Sequence, residues 1–140
     1  MSVTAPALTT STGARRAAPS LRRTTLTIGV AAAVITTAAA AVMHAIGVPM
    51  KVDGEMIPLA GFGQMTLLGA VIGGVLLAVL NRRSHAPRRR FLEATTALTA
   101  LSCVPSVAWP PDAATKATLV ALHLLAAAII VPVLARHADR

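Results

Sequence analysis

The sequence predicts an all-α fold, a four-helix transmembrane bundle with both termini in the cytoplasm. Of the 140 residues, 55% are hydrophobic and only 13% are charged, whereas soluble domains are about 45–50% apolar and about 25% charged. Four uncharged runs are each long enough, with their flanks, for the roughly 20 residues that a spanning helix needs. None of them alternates apolar and polar residues as barrel strands do. Lipid is therefore the expected solvent, and helices are the expected elements.

The uncharged runs set the domain organisation. We predict membrane spans over residues 24–46, 58–80, 91–109 and 114–135. Residues 1–23, rich in Thr, Ser, Ala and Pro, are predicted to be a disordered basic cytoplasmic tail, and residues 136–140 a second cytoplasmic tail. The Arg22-Arg23 pair before an apolar run also leaves a signal peptide open. We prefer an uncleaved span, because the run is longer than a signal core and more membrane segments follow it.

Charge placement predicts the orientation. All but two of the 13 basic residues lie in the N-terminal tail, the loop after the second span and the C-terminal tail. Lys51 and Lys116 lie in the opposite loops, and basic residues concentrate on the cytoplasmic side of membrane proteins. We therefore expect a multi-pass protein of the bacterial plasma membrane. The loop arginines predicted to contact anionic headgroups are Arg82, Arg83, Arg88, Arg89 and Arg90. Without interleaved aromatic residues, this cluster does not predict nucleic-acid binding.

The loop between the first two spans contains the pair Asp53-Gly54, which is typical of a two-residue hairpin turn. Apolar residues flank this pair on both sides, so we predict a short extracytoplasmic hairpin-like loop over the outer mouth of the bundle. It could be a lid or a partner contact; the alternative is a plain connector.

Small residues and a proline predict how the helices pack. Gly69 and Gly73 form a small-xxx-small pair that allows two helix backbones to approach closely. Pro105 removes a backbone donor inside the third span and predicts a kink there. The hydroxyls of Ser102 and Ser106 are close enough to help satisfy the loosened backbone. Glu93 is expected to pair with the loop arginines.

Polar side chains inside a bilayer are the default candidates for function. The candidate polar pocket consists of Gln64, His123, His44, Ser102 and Ser106. The competing interpretation makes Gln64 and His123 hydrogen-bond partners between helices. A metal site of His44 and His123 with an acidic loop residue lacks any local ligand spacing. We predict no metal, no cofactor and no catalytic residue, because paired carboxylates and nucleophile motifs are absent from the sequence.

One segment carries a family resemblance. GVPMKVDGEMIPLAGF, residues 47–62, followed by a glycine-rich helix and a basic loop, resembles a family of small uncharacterised actinobacterial four-helix membrane proteins. The resemblance implies four membrane helices and no known activity. We therefore expect a non-enzymatic structural, accessory or interaction subunit, whose partners are the lipid bilayer, another membrane protein or further copies of itself. The alternative is a small transporter or channel component with a polar site in the outer half of the bundle.

Overall fold

Four helices account for most of residues 20–138, the part of the chain that the computed structural model describes. They are α1 (Leu21–Ala45), α2 (Leu59–Arg83), α3 (Pro87–Ala108) and α4 (Ala113–Ala135). Each is long and apolar enough to cross a membrane, which confirms the predicted all-α class and the number of spans. The predicted tails, except residues 20–23 and 136–138, lie outside the described residues.

The helix ends follow from local chemistry. The Ser20 hydroxyl accepts a hydrogen bond from the Arg23 amide, so α1 begins three residues before the predicted span. Pro87 occupies the first position of α3, where its missing N–H costs nothing. Asp112 caps α4 by accepting from the Thr115 amide at 2.7 Å.

A two-stranded hairpin joins α1 to α2, as predicted. Strands β1 (Lys51–Val52) and β2 (Glu55–Met56) are antiparallel, with Val52 opposite Glu55. Asp53 and Gly54 have φ angles of 52° and 85°, the positive values that a type I′ turn requires at both central positions. Met50, just before β1, is buried against Ala40 and Leu122. The hairpin is thereby anchored to α1 and α4. We call this end of the bundle the hairpin end.

Both ends of the described chain meet at the opposite end of the bundle, the terminal end. Thr24 Oγ1 and His137 Nε2 are 3.3 Å apart, and the Asn81 amide donates to the His137 carbonyl at 2.9 Å. An apolar cluster that includes Leu77, Phe91 and Leu134 fills the space beside them. This end is the closed, tightly packed part of the bundle.

The helices do not pack evenly around the bundle. The closest pairing is α1 with α2, and α3 packs mainly on α4, while α2 and α3 touch little although a short loop joins them. Helices joined by so short a loop are usually antiparallel neighbours. They are close at the terminal end, where Leu77 and Phe91 share the apolar cluster, and an open space lies between them beyond it.

The glycines that bring α1 and α2 together are not the predicted pair. A Cβ on Gly63 would lie 2.8 Å from Thr37 Oγ1, and a Cβ on Gly74 would lie 2.5 Å from Thr25 Oγ1. Gly73 instead faces Leu134 of α4, and a Cβ on Gly69 would meet nothing within 4 Å. Within the chain, the helix contact predicted for Gly69 is therefore wrong, because this residue lies on a face of α2 that none of the other three helices covers.

Candidate functional site

An apolar groove lies between α2 and α3, with α4 at its back. Its volume is about 610 Å³, within the range of about 300–1,000 Å³ that is typical of small-molecule sites. Along α3 it extends from Thr95 to Trp109, roughly 14 residues or about 21 Å at 1.5 Å per residue. At the hairpin end it is bordered by Val52, Ile57 and Trp109.

The groove is closed toward the terminal end. Leu77, Phe91 and Leu134 of the apolar cluster are fully buried there, and none of them lines the groove. The space is thus a pocket with one closed end rather than a passage through the bundle.

Glycines on α2 keep the groove wide. Gly61 and Gly69 both line it, and a Cβ at either position would have no neighbour within 4 Å. A larger side chain at Gly69 would enter free space, so the missing side chain here makes room instead of allowing two helices to approach. This is the physical correction to the small-xxx-small prediction.

Most of the groove surface is apolar, and several of its polar side chains are bonded within their own helices. His123 Nδ1 donates to the Leu119 carbonyl at 2.8 Å. The Ser102 hydroxyl donates to the Thr99 carbonyl at 2.8 Å, and the Ser106 hydroxyl donates to the Ser102 carbonyl at 3.4 Å. These hydroxyls were expected to help satisfy the backbone loosened by Pro105. They bond the carbonyls of Thr99 and Ser102, and neither bonds that of Leu101, which lies four residues before the proline. Pro105 itself lines the groove, inside a helix that continues to Ala108.

The predicted polar pocket is only partly assembled. Ser102, Ser106 and His123 line the same groove. Gln64 and His44 do not line it; both are exposed, Gln64 on α2 and His44 near the end of α1. Gln64 and His123 are not hydrogen-bond partners in the described part of the chain, because Gln64 is exposed on a face of α2 outside the groove that His123 lines. The packing of the helices decides which face of α2 lines the groove. The position of Gln64 in the sequence could not reveal that face.

The residues considered for a metal site do not lie together. Among residues 20–138, no group of three His, Cys, Asp or Glu side chains is close enough to hold a metal ion. The metal alternative based on His44 and His123 is therefore not assembled in the described part. Cys103 is a half-buried free cysteine and does not line the groove.

Comparison with known families places the chain. Residues 16–140 match a family of unknown function, DUF6069. The chain belongs to this family. No curated protein and no solved structure matches the chain. Membership of DUF6069 confirms the resemblance to an uncharacterised domain family, while the actinobacterial origin remains a prediction.

The arginine cluster of this DUF6069 chain lies at the terminal end. Arg82 and Arg83 are in the last turn of α2, where cations favour the negative end of the helix dipole. The other three, Arg88, Arg89 and Arg90, are in the first turn of α3, where the dipole opposes them, and all five are exposed. Arg89 Nε donates to Glu93 Oε1 at 2.8 Å, so Glu93 pairs with an arginine as expected.

Two polar contacts between helices of the DUF6069 chain had no signal in the sequence. Thr36 and Thr66 join α1 to α2 through hydroxyls 2.9 Å apart. His137 joins α1 and α2 to the end of α4 through Thr24 and Asn81. These partners are 30 to 113 residues apart in the chain, so no local spacing could have indicated them.

Proposed function

We propose that this chain is a non-enzymatic accessory protein of the bacterial plasma membrane that binds an apolar molecule of the bilayer. The observation that carries the proposal is the apolar groove of about 610 Å³ between α2 and α3, closed at the terminal end. A groove of that size with few polar groups is typical of a binding site for an apolar ligand. If α2 and α3 packed against each other along their whole length, this space would not exist.

The arrangement of the polar groups supports a binding role over catalysis. A nucleophile needs a base within about 2.6–3.2 Å. The hydrogen bonds of His123, Ser102 and Ser106 lead to backbone carbonyls of their own helices. These side chains would therefore contact a bound molecule without activating one another.

We place both termini in the cytoplasm and the hairpin outside. The proposal rests on the arginines at the terminal end, on the positive-inside rule, and on the contact between Thr24 and His137, which holds both ends of the described part of the chain on one side. In this orientation Arg82, Arg83, Arg88, Arg89 and Arg90 would contact anionic headgroups, each contributing about 1 kcal/mol near the surface. Association with another membrane protein or with a second copy is compatible with this placement.

A transporter component is the second candidate function. This role is favoured by three polar residues that line a groove reaching the hairpin end: Ser102, Ser106 and His123. A complete pathway would still have to pass the buried side chains Leu77, Phe91 and Leu134. A transporter role would therefore require an opening of the terminal end or an assembly with further helices.

Photo-crosslinking in native membranes tests the binding role. A photoreactive amino acid replaces Leu98, which lines the groove, or replaces Val30, an exposed residue of α1 outside the groove. We expect a distinct small-molecule adduct at position 98 that mass spectrometry does not find at position 30. Identical adducts of bulk lipid at both positions would contradict the proposal, and a protein adduct at position 98 would replace it with an interaction-subunit role.

A further inference from the structure

Most of the hydrogen-bond donors that line the groove are in use; the exceptions among the described residues are the Thr99 hydroxyl and the indole N–H of Trp109, which is exposed at the hairpin end. Ser102, Ser106 and Thr95 donate their hydroxyl hydrogens to carbonyls of α3. Thr36 donates to the Ala32 carbonyl, which makes Thr66 the donor in the bond between the two threonines. Each of these hydroxyls retains a lone pair but has no hydrogen left for a bound molecule.

His123 shows the same property in an aromatic ring. Its Nδ1 carries the hydrogen, because the partner is the Leu119 carbonyl, which can only accept. In the neutral imidazole the other ring nitrogen, Nε2, is then an acceptor. The polar part of the groove, formed by His123, Ser102 and Ser106, therefore offers acceptors to an occupant.

From this pattern we infer that the groove binds an uncharged lipid alcohol, a molecule with one long apolar chain and a hydroxyl head that donates to His123 or Ser102. The inference rests on the proposed function and names the ligand class of the same groove. A hydroxyl supplies the hydrogen that His123 Nε2 and the Ser102 oxygen can accept, whereas an ether or an ester does not. Thr99 is the lining hydroxyl without a hydrogen bond in the described part of the chain, and it can donate in turn to the oxygen of the alcohol.

The absence of charged lining residues and the length of the groove narrow the class of ligand further. No Lys, Arg, Asp or Glu lines it among the described residues, so a phosphate or carboxylate head would be buried without a counter-charge, at a large desolvation cost. The apolar walls extend for about 21 Å along α3. This length suits a single extended hydrocarbon chain that enters from the lipid between α2 and α3.

Native mass spectrometry of the full chain, released from detergent micelles, tests the ligand class. The probes are 1-hexadecanol, its methyl ether and hexadecanoate at equal concentrations. We expect the alcohol to bind about two- to tenfold more tightly than the ether, the factor that one net hydrogen bond supplies, and the carboxylate to bind most weakly. His123→Phe should abolish the preference for the alcohol over the ether. The matched control is His44→Phe, which changes an exposed histidine outside the groove.

Further variants distinguish a failure of the lipid-alcohol inference from a failure of the proposed binding function. Gly69→Leu fills free space and should abolish the binding of all three probes. If alcohol and ether bind equally and Gly69→Leu removes both, the alcohol inference is overturned and the groove stands as an apolar site. If Gly69→Leu changes no binding, the proposed function itself is overturned. Ser102→Ala, which removes one acceptor and should reduce the preference, decides the question if His123→Phe does not fold.

Discussion

At the scale of single residues, the glycines of α2 have opposite roles within one helix. Gly74 lies against Thr25, whose hydroxyl donates to the Leu21 carbonyl at 2.8 Å. Thr25 therefore cannot move away without losing that bond. Gly69 lies over the open groove. The same residue type allows close packing at one position and preserves space at another.

The variant Gly74→Ala should be less stable than the wild type by about 1–3 kcal/mol, the usual range for overpacking. Reversible denaturation in detergent, followed by circular dichroism, measures the difference. Gly69→Ala is the matched control, and it should be neutral or slightly stabilising, because alanine is a better helix former and its Cβ meets no neighbour. Equal losses of stability in both variants would contradict the assignment of the two faces.

At the scale of elements, the start of α4 depends on one carboxylate. The backbone hydrogen bond from Thr115, followed by the contribution of its side chain, lowers the pKa of Asp112 below the usual value. The folded chain thus binds this proton less tightly than the unfolded chain. Ionised Asp112 stabilises the fold above the ordinary carboxyl pKa, and this contribution is lost as the pH falls through the lowered pKa.

Asp112→Ala should therefore destabilise the protein near pH 7, and the difference from the wild type should shrink as the pH falls through the acid range below pH 4. The midpoint of unfolding at a series of pH values measures it. Glu55→Ala serves as the control, because this exposed hairpin residue caps no helix and should show little difference at any pH. A constant difference between wild type and Asp112→Ala over the whole range would exclude an ionised cap.

At the scale of the whole molecule, two kinds of packing define the bundle. Small residues join α1 to α2, and α4 packs against both α1 and α3. The terminal end is closed by large apolar residues, whereas the groove between α2 and α3 remains open. A membrane protein tolerates such a groove because lipid can occupy it, and its backbone groups stay bonded within the helices.

The orientation prediction concerns the whole molecule. A phosphatase reporter that is active only outside the cytoplasm should be inactive when fused after Arg140 and active when fused after Glu55 in the hairpin loop. The expected result follows from the excess of arginine at the terminal end. An active fusion after Arg140 would overturn the cytoplasmic placement of the C-terminus.

Several features were predictable from the sequence because their causes are local. A run of apolar residues predicts a span, since lipid forces backbone groups to pair within the segment. Asp53-Gly54 predicts the hairpin turn, because both residues tolerate positive φ angles. The polar character of Ser102, Ser106 and His123 within spans also marked them as candidates, and all three line the groove.

Only the tertiary structure decided which helix faces meet. Lipid is as apolar as the side chains, so hydrophobicity does not distinguish a buried face from an exposed one in a membrane helix. Gln64 was for this reason assigned to the pocket although it is exposed, and Gly69 to a helix contact although it lines the groove. The number of spans and the hairpin were determined by the sequence alone. The groove depends on how far α2 and α3 separate, and contacts between distant parts of the chain set that separation.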